Sequence, residues 1–137
     1  MRSLKKLFKN QCGTAAVEFG LVLPVLASIV ILMPDVTQAA SGAINMDSAV
    51  RAGIQYAMNG GTDTSTVQTY VNQNWVAKPT GATATATLAC FCDSSTLTCG
   101  QPCTGTLSST VTIAATATVG GLVINVPLSK TQSVRVQ

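Results

Sequence analysis

The apolar residues of this chain are concentrated in one block near the N-terminus. From Thr14 to Met33 the sequence TAAVEFGLVLPVLASIVILM contains a single charged residue, Glu18. A helix of this length is long enough to cross the hydrocarbon core of a bilayer. A buried core helix is the alternative, but the rest of the chain is too short and too polar to surround it on every side. We therefore predict a transmembrane helix over residues 14–34.

The helical pattern continues beyond this segment. Pro24 and Pro34 each remove a backbone donor, so we expect a bend or a local break at both. Further along, small and apolar residues recur at helical spacings up to Gly60-Gly61, which is a typical helix stop. A continuous helix from Thr14 to Asn59 would be about 70 Å long. We interpret residues 35–60 as a helical stem outside the membrane.

The C-terminal part, residues 61–137, is predicted to be a small α+β domain. A short amphipathic helix from Ser65 to Asn74 is indicated by the capping-box spacing of Ser65 and Gln68. Polar and apolar residues then alternate, which is typical of strands and disfavours a low-complexity linker. The predicted antiparallel strands cover residues 82–92, 106–119 and 133–136, and Leu122–Asn125 could form a further short strand.

The basic residues are concentrated at the N-terminus. Of the eight Lys and Arg residues, four precede position 10, namely Arg2, Lys5, Lys6 and Lys9. The positive-inside rule therefore places residues 1–13 in the cytoplasm as a leader and the C-terminal domain on the other side of the membrane. The four remaining basic residues are scattered, so we expect no nucleic-acid-binding face.

Four cysteines fall in the region predicted to lie outside the cytoplasm, where an even number of cysteines indicates two disulfides. A zinc site is the alternative, but the spacing lacks paired CxxC knuckles. Residues two apart on one strand are too distant for an easy bridge. A single hairpin favours nested over crossed pairs, because opposed positions have nearly constant sums of residue numbers. The predicted disulfides are Cys90–Cys103 and Cys92–Cys99.

Residues that carry out catalysis are scarce. The chain has no histidine, and its acidic residues are Glu18, Asp35, Asp47, Asp63 and Asp93. General acid-base groups and metal ligands are thus nearly absent, and we expect no enzymatic activity, no metal and no cofactor. An enzyme would need an unusual arrangement such as a serine with Lys78 or Lys130, and no spacing suggests one.

The N-terminus has the order of a cleavable export signal. An ordinary signal peptide would be cleaved after the apolar run, near Ala39, whereas here the basic leader ends in Cys12-Gly13 directly before that run. The order of basic leader, Gly13, apolar lead-in and Glu18 resembles the class III signal of type IV pilins and pseudopilins. The resemblance implies cleavage by a prepilin peptidase between Gly13 and Thr14, removal of Cys12 with the leader, and a glutamate at the fifth mature position.

More specifically, the segment GTAAVEFGLVLP (13–24) resembles the TadE-like pseudopilins of the tight-adherence (Tad/Flp) pilus system. The resemblance is strong to Pro34, weaker at Ala49–Gly53, and returns in Ser133–Val136. Phe19 stands where the small Flp pilins usually carry tyrosine. The resemblance implies a minor pilin or pseudopilin, with other pilins and the inner-membrane platform of the pilus as partners. It leaves open whether the chain enters the filament or stays at its base.

Glu18 has two interpretations. A carboxylate in an apolar membrane helix costs several kcal/mol and is retained mainly when it has a partner. Cleavage would give Thr14 a cationic α-amino group, with which Glu18 of a neighbouring subunit could pair. Alternatively, Glu18 reaches back to the cytoplasmic headgroups. The resemblance favours an assembly contact formed by Glu18 and Phe19.

Together these features predict an α+β fold: a long transmembrane and stem helix, a short helix and a small disulfide-bonded antiparallel sheet. The expected location is the bacterial inner membrane, crossed once, and the expected function is that of a structural pilus assembly subunit. The alternative is a secreted or periplasmic disulfide-bonded binding domain released by ordinary signal peptidase. The mature N-terminus separates the two, since it would be Thr14 in the first case and a residue near Ala40 in the second.

Overall fold

A computed structural model of the protein describes residues 12–136, with side chains from residue 16 onward; residues 1–11 of the predicted leader lie outside the described residues. The predicted α+β class is confirmed, with a long apolar helix, a short helix and a four-stranded antiparallel sheet with two disulfides. The elements are α1 Cys12–Met58, α2 Thr64–Asn74, β1 Thr83–Cys92, β2 Ser95–Leu97, β3 Leu107–Gly120 and β4 Asn125–Val136.

Helix α1 is continuous through the predicted membrane segment and the stem. Pro24 and Pro34 both lie inside it, and neither interrupts the helix, because each proline removes only one donor from the hydrogen-bond ladder. The helix ends as predicted at the glycine pair. Gly60 has φ +94°, its amide donates to Ala57 O (3.2 Å), and the amide of Gly61 donates to Tyr56 O (3.2 Å). This pattern is a Schellman motif, which satisfies carbonyls that the last turn leaves unpaired.

The stem half of α1 buries one face against the sheet and α2. The buried positions recur at three- or four-residue spacings, as expected for one side of a helix: Met46, Ala49, Val50, Gly53 and Ala57. Gly53 permits the closest approach, since a β-carbon there would overlap Val71 and lie 2.8 Å from Ile113 Cδ1. The stem is therefore a part of the domain core.

Helix α2 starts one residue earlier than predicted, and its cap is different. The N-cap is Asp63, whose carboxylate accepts the amide of Thr66 (2.9 Å) and the hydroxyl of Ser65 (2.7 Å). Hydrogen bonds from Thr66 and then Ser65 lower the pKa of Asp63 to about 2. The capping box assigned to Ser65 is thus wrong, because the preceding aspartate takes the donors of the first turn. Val67 and Val71 are buried against α1.

The sheet has the strand order β2-β1-β3-β4, and all its pairs are antiparallel. On β3, Val111, Ile113, Ala115 and Ala117 alternate with less buried residues, so one face of the sheet packs on the helices. Strand β4 is much longer than the predicted 133–136. It runs through Pro127, which is tolerated because β4 is an edge strand. Strand β2 was not predicted.

The predicted nested disulfides are wrong. The structure pairs Cys90 with Cys99 and Cys92 with Cys103, at Cα separations of 5.3 and 5.8 Å. The prediction assumed one hairpin centred among the four cysteines, whereas the chain turns directly after Cys92. Asp93 and Ser94 both have positive φ, and Cys90 lies opposite Leu97. Cys99 therefore follows Leu97 closely and reaches Cys90.

Serine substitutions in pairs test the observed connectivity. The double variant Cys90→Ser, Cys99→Ser should lose one disulfide, about 2–3 kcal/mol of unfolding free energy, and gain no free thiol relative to the parent. The double variant Cys90→Ser, Cys103→Ser should disrupt both native bridges, lose more stability, and release thiols or form a non-native bridge. Denaturant unfolding and thiol titration of the unreduced protein measure both effects. The reverse order of stabilities would restore the nested pairing.

Candidate functional site

The first half of α1 is an apolar surface that the rest of the chain leaves uncovered. All residues from 16 to 33 are exposed. Among the described residues, α1 is the one helix long and apolar enough to cross a membrane, with a mean hydropathy of 2.4 and none of that window buried. A core helix with the same hydropathy would be covered by the rest of the protein. The exposure of this segment therefore indicates that something other than this chain, such as lipid, covers it. This segment is a candidate membrane anchor.

The predicted assembly residues lie on this exposed helix. Glu18 is exposed and makes no ion pair with any residue among 16–136, and Phe19 is 62% exposed. Gly13 and Thr14 fall in the first turn of α1, where the structure describes the backbone only. Helix geometry places Glu18 one turn, about 6 Å, along the axis from Thr14. The structure thus brings these four positions together at one end of one helix.

Asp35 forms a site that the sequence reasoning did not assign. It is 2% exposed, at the first turn of α1 that packs against the domain. Its carboxylate accepts three consecutive backbone amides of the β3–β4 turn, with distances of 2.6 Å to Leu122 N, 2.8 Å to Val123 N and 3.1 Å to Ile124 N. Gly121 makes this approach possible, because a β-carbon there would overlap the carboxyl group.

The three amides favour the ionised form of Asp35. The hydrogen bond from Val123, followed by that from Leu122, holds the pKa of Asp35 below its ordinary value, and the partial loss of water acts in the opposite direction. A carboxylate is a suitable acceptor here because its two oxygens can accept several donors at once. Asp35 therefore closes the β3–β4 turn onto α1.

A second acidic residue, Asp47, joins α1 to the edge strand. It pairs with Lys130 of β4 at 2.7 Å and with Arg51 at 2.6 Å. These bonds, that of Lys130 first, lower the pKa of Asp47. The pairing also engages one of the two lysines considered for an enzyme. The other, Lys78, donates to Asn72 Oδ1 at 2.8 Å.

The four predicted disulfide cysteines are all bridged, and they lie at the end of the sheet opposite Asp35. Cys90 and Cys92 pair in register with Ser109 and Leu107, at the start of β3, whereas the turn held by Asp35 follows the end of β3. Within residues 12–136, no group of three or more His, Cys, Asp or Glu side chains is arranged to hold a metal ion.

Comparison with known protein families gave a match to the N-terminal part of the chain. Residues 13–55 match the TadE-like protein family. The TadE-like segment begins at Gly13, contains Glu18 and Asp35, and ends within the stem half of α1. The resemblance to TadE-like proteins of the Tad system that the sequence indicated is thereby confirmed for this segment. Comparisons with curated proteins and with solved structures gave no match.

The contribution of Asp35 is tested by the variant Asp35→Asn. The amide side chain has one oxygen for three donors, and its own N–H₂ group would face them. We expect hydrogen exchange of the Leu122–Ile124 amides to become roughly tenfold faster. The matched control is Asp63→Asn, because asparagine is an equally good N-cap and should leave these amides unchanged.

The same contact makes a pH prediction. Because the folded pKa of Asp35 lies below the ordinary value of 3.8, its stabilisation is fully present above that value. It is lost as the pH falls further, through the folded pKa. Thermal unfolding followed against pH should show this loss in the parent and a smaller one in Asp35→Asn. An equal loss in both would exclude the carboxylate as its source.

Proposed function

We propose that this chain is a non-enzymatic, pilin-like subunit of a Tad pilus system, anchored in the bacterial inner membrane by the first half of α1. The proposal rests on the overlap of two observations. The TadE-like match covers residues 13–55, and within that range residues 16–33 form an apolar helical surface that the domain leaves uncovered. Pilin-like subunits pack through such helices, so the same surface serves first as a membrane anchor and then as an assembly contact.

The proposed orientation has the N-terminus in the cytoplasm and the domain outside. The basic residues of the leader favour this direction. Two disulfides in the domain are consistent with an oxidising compartment. A prepilin peptidase would cleave after Gly13, which removes the leader and leaves α1 intact from Thr14 onward.

Assembly is proposed to use the start of the mature helix. The α-amino group of Thr14 would be cationic after cleavage, and Glu18 of a neighbouring subunit would pair with it in an axially staggered bundle. Such a pair compensates for placing a carboxylate near hydrocarbon. Phe19, which is exposed beside Glu18, adds an apolar contact. Other pilins and the inner-membrane platform are the proposed partners.

The alternative of a secreted binding domain has less support. Ordinary signal peptidase would cleave near Ala40, inside the continuous helix α1. The product would lack Asp35, and the three amides of the β3–β4 turn would lose their acceptor. Water would then replace Asp35 as the acceptor, and the turn would lose the contact that holds it to α1. Retention of α1 therefore fits the domain better than its removal.

Processing is tested by the variant Gly13→Leu. A bulky residue before the scissile bond should block the peptidase, so full-length precursor should accumulate in the membrane fraction while the parent yields a chain that begins at Thr14. Immunoblotting and N-terminal sequencing measure this. Gly20→Ala is the control, because a β-carbon at Gly20 meets no atom within 4 Å. Mature protein of normal size from Gly13→Leu would sink the proposal of cleavage after this glycine.

The assembly contact is tested by the variant Glu18→Gln. Loss of the charge should leave membrane insertion and cleavage intact, and insertion should become slightly easier. Pilus assembly, or co-purification with other pilins, should fall about tenfold or more, since the remaining ammonium group is left unpaired. Glu18→Asp keeps the charge and should retain part of the assembly. If assembly by Glu18→Gln equals that of the parent, Glu18 is a charge that reaches the headgroups and not a contact.

A further inference from the structure

The turn between β3 and β4 presents three exposed apolar side chains. Leu122, Val123 and Ile124 are 77%, 56% and 48% exposed, respectively. Hairpin turns usually carry glycine, asparagine, aspartate and other polar residues, so three consecutive large apolar residues are unusual there. An exposed apolar cluster of this kind indicates contact with a partner or a membrane.

The β3–β4 hairpin runs along α1 toward the membrane anchor. Three contacts between the hairpin and α1 follow one another in order: Ile113 with Gly53, Val119 with Gly42, and the Leu122 amide with Asp35. Between the first and the last contact, α1 rises about 27 Å and β3 extends about 30 Å. The two elements thus run nearly in step and antiparallel, and the turn points to the anchor end of the helix.

Asp35 sets the level of the turn. Met33, which is 65% exposed, is the last residue of the apolar segment, and Asp35 follows about 3 Å further along the helix axis. The backbone of the turn donates hydrogen bonds directly to Asp35, so the turn lies at about the same height along the helix axis. The three apolar side chains therefore lie close to the level along the axis at which the exposed apolar surface of residues 16–33 ends.

The backbone N–H groups of the turn already have acceptors within the protein. Asp35 accepts the amides of residues 122–124, and the amide of Gly121 donates to Ile124 O at 2.9 Å. Burial in lipid would leave none of these N–H groups unpaired, which lowers the cost of inserting the turn. The sequence between Asp93 and Lys130 contains no charged residue. Lys130 pairs with Asp47, about 18 Å along α1 from Asp35.

We propose that Leu122, Val123 and Ile124 insert into the lipid leaflet next to the domain, in the same membrane that α1 crosses. Lipid is favoured over a second copy of the chain, because three side chains are far too few for a stable protein interface but extend a surface that already faces lipid. The inference rests on the proposed function only in requiring that α1 spans the membrane. Asp35 acts as a positioning residue, since it holds the turn at the membrane surface.

Spin labelling of the full chain in vesicles tests the insertion. A nitroxide is attached to Val123→Cys, or to Leu122→Cys as a second site, in a Cys12→Ser background and in vesicles of phosphatidylethanolamine and phosphatidylglycerol. Collision with oxygen reports lipid, and collision with a water-soluble nickel chelate reports water. Ile29→Cys marks the membrane segment, and Ser133→Cys marks the exposed far part of β4.

We expect the ratio of oxygen to nickel accessibility to be several-fold higher at Val123 than at Ser133, and to approach the ratio at Ile29. A water-accessible label at Val123 with a lipid-exposed label at Ile29 would overturn the insertion and leave the anchor in place. A water-accessible label at Ile29 would overturn the anchor and the insertion together. A label at Val123 that is shielded from both reagents would assign the turn to a contact between copies of the chain.

The positioning role of Asp35 has its own measurement. In Asp35→Asn carrying the Val123 label, the oxygen-to-nickel ratio should fall toward that of Ser133, while the ratio at Ile29 stays unchanged. Asp47→Asn is the matched control, since it removes a carboxylate from the same helix away from the turn, and it should leave the ratio at Val123 unaltered. An unchanged ratio in Asp35→Asn would show that the turn reaches lipid without this contact.

Discussion

The continuity of helix α1 through Pro24 and Pro34 is the constraint on which the rest of the structure depends. One helix serves two environments: over residues 16–33 it is exposed on all sides, and in the stem it buries one face against the sheet. A helix pairs its backbone N–H and C=O groups within its own segment. It can therefore pass from lipid into a protein core without leaving these groups unpaired at the boundary. The sheet then packs at a fixed rotation and height relative to the anchor. Asp35, at the junction of the two environments, receives the β3–β4 turn.

Much of the fold could be predicted from the sequence where the signals are local. The apolar run, the spacing of small residues in the stem and Gly60-Gly61 indicate α1 and its end, and alternation indicates β1 and β3. Strand β4 was predicted too short because its N-terminal half has weak alternation and contains Pro127; pairing with β3 overrides that local signal. The disulfides were paired wrongly because the position of one tight turn, at Asp93-Ser94, decides the register of all four cysteines.

The residues of the candidate site also differ in whether a local sequence pattern indicates them. Gly13, Thr14, Glu18 and Phe19 form a compact sequence pattern, so the sequence could indicate them, and the match over 13–55 covers that pattern. In the sequence, Asp35 is one of five acidic residues, and no local pattern assigns it a role. Its ligands are backbone amides, which carry no side-chain signature, and they lie in a turn whose sequence is apolar. Nothing local connects these amides to an aspartate on the first helix, so only the tertiary structure reveals the contact.

The distance along the chain between Asp35 and its ligands also determines when the contact forms. The bonds span 87 to 89 residues, whereas those of α1 are local. Long-range contacts carry a larger loop-closure cost than the local contacts of a helix. We therefore expect the turn to close on Asp35 after α1 has formed, and the closed contact joins the start of the domain-packed part of α1 to the far end of the sheet.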